Sequence, residues 1–252
     1  MTGERAENRQ VFEITGEDRV SFLQGLVTND LAKLAKGLVY AALLSPQGKY
    51  LADFFLVPRN EALLLDIDRG QADALLQRLA LYRLRARIAI ADSGLAVTRG
   101  LGTPPPGAFA DPRHPALGWR AYGAEAGGPP EIDWNAIRVA HCIPECGAEL
   151  IPGESYILEC GFERLDGVDF RKGCYVGQEV TARMKHKTEL RKGLARVAVS
   201  GKAEPGTEVT ADGKPVGRLT TRAGDRAIAY LRFDKAGADM RAGEAAASWE
   251  QG

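Results

Sequence analysis

LVYAALLSPQGKYLADFFLVPRNEALLLDI, residues 38–67, holds three apolar runs of strand length separated by turn chemistry. Leu38–Ser45, Tyr50–Val57 and Ala62–Ile67 read as strands, and Pro46-Gln47-Gly48 and Pro58-Arg59-Asn60 are tight-turn signals between them. Strands joined by turns this short must run antiparallel, because a parallel crossover needs a dozen or more residues. Gln71–Leu84 follows as an amphipathic helix with Ala74, Leu75, Leu79 and Tyr82 on its buried side. Upstream, Val11–Ile14 is a short strand and Asp18 an N-cap. The helix after it gathers Val20, Phe22, Leu23, Leu26 and Val27 on one stripe. Thr28-Asn29-Asp30 ends that helix and caps a short successor, Leu31–Lys36, stopped by Gly37. Helices beside an antiparallel sheet give an α+β fold.

Ala86–Ile90 and Leu95–Thr98 extend the strand count, residues 100–130 form a Gly/Pro-rich irregular excursion, and Ile132–His141 is a further helix. From Arg196 the pattern becomes short strands with tight turns: Ala195–Val199, Thr207–Thr210, Pro215–Thr220 and Ala227–Leu231, with Asp212-Gly213 as a hairpin turn. That spacing predicts a small barrel or sandwich. The division falls in the run HKTELRK, giving an α+β region over residues 1–188 and a barrel over 189–252.

The chain has 252 residues, with 33 Lys and Arg against 33 Asp and Glu. A zero balance excludes a generally basic nucleic-acid coat and an acidic tail protein, leaving only local patches. No apolar run approaches the roughly 18 residues needed to span a bilayer, so no membrane partner is expected. The polar start MTGERAENRQ lacks a signal-peptide pattern, and four cysteines (Cys142, Cys146, Cys160 and Cys174) are far too few for a disulfide scaffold. A cytoplasmic protein with reduced thiols is the expectation. No dinucleotide-binding glycine motif, phosphate-binding loop, nucleophile elbow or HExxH helix is present, which argues against those enzyme classes.

The densest chemical signal is Arg171-Lys172-Gly173-Cys174-Tyr175-Val176-Gly177-Gln178-Glu179. Glycines there permit positive φ and close backbone approach. A thiol just before a helix at Gln178–Met184, beside Arg171 and Lys172, is expected to gain thiolate character. The bland alternative is a Gly-rich turn around an inert buried cysteine. Asp53 shares a strand face with Leu51 and Phe55, so it is either buried or lining a cavity, where it must be paired or functional, or it is set on an edge strand facing water. Arg183, Lys185, His186, Lys187, Arg191, Lys192 and Arg196 form a basic stretch that suits an anionic ligand or RNA, or is a solvated helix end. Arg78, Arg83, Arg85 and Arg87 form a second basic group, read as outward strand positions. The spacing of Cys142, Cys146, Cys160 and His141 matches no ordinary zinc pattern.

Lys172-Gly173-Cys174-Tyr175-Val176-Gly177-Gln178-Glu179 resembles the K-G-C-[FY]-x-G-Q-E signature of the YgfZ-type folate-binding proteins, relatives of the glycine-cleavage T-protein, an aminomethyltransferase. The resemblance runs along most of the chain. Phe22–Asp30 is similar to a segment shared with T-proteins, and Ser45–Lys49 with Asp53 resembles the turn and strand that carry the T-protein's essential Asp. Arg138 with Ile143-Pro144 and Gly147 resembles a run whose Arg sits in the folate pocket, and Val216–Thr220 with Ala227–Arg232 resembles the C-terminal barrel. Cys142 stands where that loop usually has Gly, and Ala52 where T-proteins have a second Asp.

The resemblance implies a ring of two interleaved α+β subdomains and a small C-terminal β-barrel around a central hole for tetrahydrofolate, in mono- or polyglutamylated form. It implies Cys174 and Asp53 as chemical residues. For the folate contacts it implies Asp53, Gln24, Asn29, Arg138, Lys172, Gly173, Tyr175, Gly177, Gln178 and Glu179. It further implies a role in assembly or repair of iron–sulfur clusters, with client or assembly proteins and tRNA-modifying enzymes as partners. Two other readings stand beside it: a folate-dependent aminomethyl- or methyltransferase acting through Asp53, and a non-catalytic module docking RNA or a partner through residues 183–196.

Overall fold

A computed structural model of the chain describes residues 3–125, 127–187, 189–237 and 239–250, leaving aside the side chain of Lys187. The chain forms two compact units, Met1–Ile132 with Glu163–Glu179, and Asp133–Phe162 with Val180–Gly252. The boundary read at 188/189 falls at Thr188, outside the described residues. The segment 133–162 and all but the first two residues of the helix before Thr188 group with the barrel strands.

The first unit opens with β1 (Glu4–Arg5), β2 (Arg9–Thr15) and α1 (Arg19–Gln24). A 3-10 turn at Leu31–Lys36 is capped by the Asp30 carboxylate on the Ala32 amide. Next come β3 (Val39–Leu44), β4 (Tyr50–Arg59), β5 (Ala62–Asp68), α2 (Ala72–Arg83), β6 (Ala89–Asp92), β7 (Ala96–Gly100), β8 (Phe109–Ala110) and β9 (Trp119–Gly123). One antiparallel sheet has the order β3-β4-β5-β2-β6. β4 is therefore flanked on both sides, by β3 and β5, which removes the water-facing edge position considered for Asp53.

Alternation on this sheet separates two kinds of interior. Phe54, Leu56, Leu65 and Ile67 face α1 and α2 and join Leu23, Leu75 and Leu79 in an apolar cluster. Ala74 lies outside that cluster, on the exposed side of α2. The opposite face carries Tyr40, Asp53, Phe55 and Asp66, with Tyr40 opposite Phe55 and Phe55 opposite Asp66 across the ladders. A second sheet, β1-β7-β9-β8, supplies the partners of that polar face. Its strand β9 lies inside the stretch expected to be irregular. Gly- and Pro-rich flanks hide it, although Trp119-Arg120-Ala121-Tyr122 pairs with β7 along its whole length.

The second unit contains α3 (Trp134–His141), capped by Asp133 on the Ala136 amide, and most of α4 (Gln178–Lys187). Six strands then close a barrel: β10 (Lys192–Ser200), β11 (Glu208–Ala211), β12 (Lys214–Ala223), β13 (Arg226–Arg232), β14 (Met240–Ala242) and β15 (Ala245–Trp249). The expected hairpin at Asp212-Gly213 is present, both residues at positive φ (49° and 70°) as a mirror-type turn requires. β14 and β15 escape the sequence reading because alanine is a weak strand former. In place those alanines fill the narrow interior beside Val197, Val209, Leu219 and Leu231.

Candidate functional site

Cys174 is exposed on the loop that leads into α4. The loop is held by a set of side chains that reach across the sequence within the first unit. Lys172 is buried, and its ammonium donates to the carbonyls of Gln24 (2.7 Å) and Val27 (2.5 Å), at and just beyond the C-terminal end of α1. Cations are favoured at that end of a helix. The Thr28 hydroxyl donates to the Gly167 carbonyl, and the Asp169 amide returns a bond to the Thr28 carbonyl. The Asn29 amide donates to the carbonyls of Tyr40 and Asp166 (2.8 and 2.5 Å). Gln24 closes locally onto Asp30 and the Leu31 amide. Lys33 adds ion pairs to Asp166 and Asp169 (2.8 and 3.3 Å). Segments near residues 24–33 and 166–172 are thus one stapled platform, with Cys174 just beyond its end.

This placement corrects the expected surroundings of the thiol. Lys172 points into the platform, and Arg171 is 94% exposed, its one ion pair among the described residues a long one to Asp169 (4.0 Å). Of the two positive neighbours, Lys172 is spent on the carbonyls of the platform, whereas Arg171 stays in solvent. Gln24, Asn29 and Lys172, expected at a folate, here make main-chain contacts that fix the fold. Tyr175 is buried with its ring 5.0 Å from the Lys172 ammonium, and Val176 packs on the apolar cluster. Gly177 has φ +82°, and a Cβ there would stand 2.6 Å from the Ser45 carbonyl oxygen, so only glycine lets this loop lie on the β3–β4 turn. A Cβ on Gly173 would meet open space. Gln178 is half-buried and Glu179 exposed at the start of α4.

Burial pushes the Lys172 amine down to about 8, against the opposing pull of Asp30 and Asp169. In the unfolded chain the amine keeps its proton up to 10.5, so between these values the unfolded state binds more protons than the native one. The contribution of Lys172 to stability is therefore fully present above that window and shrinks as pH falls through 8. The gap in urea midpoint between wild type and Lys172→Met should widen as pH rises through the window. A gap independent of pH would contradict this placement of the amine.

Asp53 is buried, and its two carboxylate oxygens accept from Tyr40 (3.0 Å) and Tyr50 (2.6 Å); the Tyr50 hydroxyl also lies 3.0 Å from Gln71 Oε1. Burial and the adjacent Asp53 charge drive the Tyr40 phenol well above its usual range, so it stays a donor. Around Phe55 lies an ion network that sequence reading missed. Asp66 receives Arg9 (2.6 Å), Arg120 (2.9 Å) and the Tyr122 hydroxyl (2.9 Å), while Asp111 receives Arg113 (2.8 Å) and Arg120 (3.2 Å). The guanidiniums of Arg120 and Arg113 lie 4.0 and 4.8 Å from the Phe55 ring centre. Burial pushes the Asp111 carboxyl up, but Arg113 and Arg120 outweigh it and hold it below the usual carboxylate range. Asp66 did carry a signal, a lone carboxylate inside an apolar strand, as Asp53 did.

Arg138 belongs to the second unit and is also engaged. It donates to the Ile143 carbonyl, to Asn135 (2.8 Å) and to Glu149 (2.5 Å), and pairs with Glu145 (3.0 Å). Glu149 in turn accepts from the Glu145 amide and the Thr221 hydroxyl. The Ile143-Pro144 loop is thus tied to the barrel through one buried carboxylate. Cys160 is buried, its thiol pushed up to about 12 by burial and Glu159, so it is inert. Among the described residues no group of three His, Cys, Asp or Glu is placed to hold a metal ion. Of the basic stretch, Arg196 is tied to Glu250 and the Ala140 carbonyl. Arg191, Lys192 and Arg232 line a cavity of about 490 Å³ with Met184, Leu190 and two acids, Glu159 and Glu189.

Residues 191–251 match the family described as CAF17, C-terminal beta-barrel domain. The chain is 32% identical to the human iron–sulfur cluster assembly factor IBA57, mitochondrial, over 92% of its own length and 77% of that relative's. It belongs to the IBA57 family. To the Mycosarcoma maydis IBA57 homolog, also named mitochondrial, it is 32% identical over 75% of its length, spanning only 55% of that longer relative. The mouse member is 30% identical over 91% of this chain. The T-protein relation expected from the sequence is shown at the level of fold. The structure of glycine cleavage system aminomethyltransferase T from Bartonella henselae superposes with a TM-score of 0.79 over 99% of this chain and 84% of the other, at 12% identity. No helix among the described residues of this IBA57-family chain is long and apolar enough to cross a membrane.

Proposed function

We propose that this chain serves iron–sulfur cluster assembly on client proteins, tRNA-modifying enzymes among them, through the exposed thiol of Cys174 and with tetrahydrofolate as its ligand. The observation that carries the reading is near-full-length similarity to relatives named as iron–sulfur cluster assembly factors, in a chain whose one exposed cysteine sits beside a rigid platform. A thiol that leaves the fold's own contacts untouched is free to meet iron or a partner's cluster.

For folate, the residues present fit in part. Asp53 has given each oxygen one tyrosine hydroxyl and retains lone pairs, which suit the amino and ring N–H donors of a pterin. Arg138 already spends four of its five N–H donors on Ile143, Asn135, Glu145 and Glu149, so the assignment rests on Asp53 rather than on the arginine. Bound tetrahydrofolate would supply a reduced pterin able to give electrons or take a one-carbon unit.

Anaerobic calorimetry with tetrahydrofolate tests the ligand. Asp53→Asn keeps the side-chain shape but removes the charge, and it should weaken binding about tenfold or more, the scale of a lost charged hydrogen bond. Equal affinity of the variant, or no binding by wild type, contradicts the folate assignment.

A further inference from the structure

The end of α2 carries a surface that neither the cysteine platform nor the ion network uses. Leu81 is 69% exposed and Leu84 90% exposed. Arg78, Arg83 and Arg85 flank them, all exposed and without an ion pair among the described residues. These arginines lie on the helix face and the turn after it, not on the strand positions expected from the sequence. The only acidic residue of α2, Asp73, is in the helix's first turn.

Leu84 also holds a backbone conformation that leucine resists, with φ 41° and ψ −102°. A bulky residue at positive φ is strained, and here no burial compensates it. The turn is nevertheless braced. The Arg87 amide donates to Asp18 Oδ2 (2.8 Å), and the Arg87 guanidinium pairs with Asp18 and Glu17. Leu84 is therefore held out on a supported turn, with cations on both sides.

We infer that this patch docks an acidic segment of a partner protein, with Leu81 and Leu84 as apolar anchors and Arg78, Arg83 and Arg85 pairing its carboxylates. Charge selects the partner's chemistry, since unpaired guanidiniums match carboxylates in bidentate geometry. A pre-set turn lowers the ordering cost of binding, which is where an anchor gains affinity. The inference is independent of the folate and cysteine readings.

The test uses the full chain and a fluorescent synthetic peptide in which leucines alternate with glutamates, followed by anisotropy. Arg83→Glu with Arg85→Glu should weaken binding about tenfold or more, and raised salt should weaken wild type alone. Leu84→Gly separates docking from folding. It should raise the urea midpoint by removing the strained leucine and at the same time lose most of the peptide affinity. The inference is overturned if wild type ignores the peptide or if the charge reversal binds it equally. Equal binding of a peptide with alanines for leucines overturns it too. So does a chain that sediments with phosphatidylserine vesicles while ignoring the peptide, since the patch is then a lipid contact.

Discussion

Asp66→Ala is expected to destabilise the first unit by about 3–5 kcal/mol, the range for stripping one partner from a buried ion pair. The Asp66 side chain is fully buried and receives Arg9, Arg120 and Tyr122. Its removal leaves Arg9 without its carboxylate and Arg120 with only the longer pair to Asp111 (3.2 Å). Both guanidiniums pack on Phe55 between the two sheets, where water cannot replace the lost charge. Set against a total stability of about 5–15 kcal/mol, this is enough to populate unfolded chain at growth temperature. Asp66→Asn keeps part of the hydrogen bonding and should fall between. Asp68→Ala, at the half-buried end of the same strand, where the carboxylate caps a 3-10 turn on the Gly70 amide, should cost only about 1 kcal/mol. Urea unfolding decides it, and a shift for Asp66→Ala no larger than that of Asp68→Ala would show the network to be dispensable.

Cys174→Ala should abolish maturation of an iron–sulfur enzyme by the purified chain while leaving thermal stability within about 0.5 kcal/mol. The residue is exposed, and the platform contacts belong to Lys172, Thr28 and Asn29, none of which touches the sulfur's role. Cys160→Ala should do the reverse: it trims a buried, inert side chain, costing stability but sparing maturation. Lys172→Met should lower both, because it loosens the loop that presents the thiol. A Cys174→Ala protein that is fully active, or one that is unfolded, would break this separation of chemistry from scaffold.

Periodicity and turn residues were enough to read the antiparallel sheet, α2 and the start of the barrel, because apolar alternation and Pro/Gly turns are local signals. β9 was not legible, since its importance comes from what Arg120 and Tyr122 meet on another sheet. Lys172 shows the same limit at the candidate site. Its position beside Cys174 in sequence suggested a charge acting on the thiol, but its side chain turns inward to carbonyls more than a hundred residues away. Asn29 likewise fastens distant segments, through the Tyr40 and Asp166 carbonyls, whereas Gln24 closes locally onto Asp30 and the Leu31 amide. The burial of Asp53 was legible as one of two options, and the tyrosines that choose between them are long-range partners or strand neighbours. Arg138 was legible as special, though its pairing with Glu149 could only be seen once the loop was folded.

The most direct single measurement is the activity of an iron–sulfur enzyme in cells lacking this chain, complemented with wild type or Cys174→Ala at equal protein level. Restoration by wild type and none by Cys174→Ala is the predicted result. Full restoration by Cys174→Ala would contradict a role for the thiol and place the assembly function elsewhere on the chain.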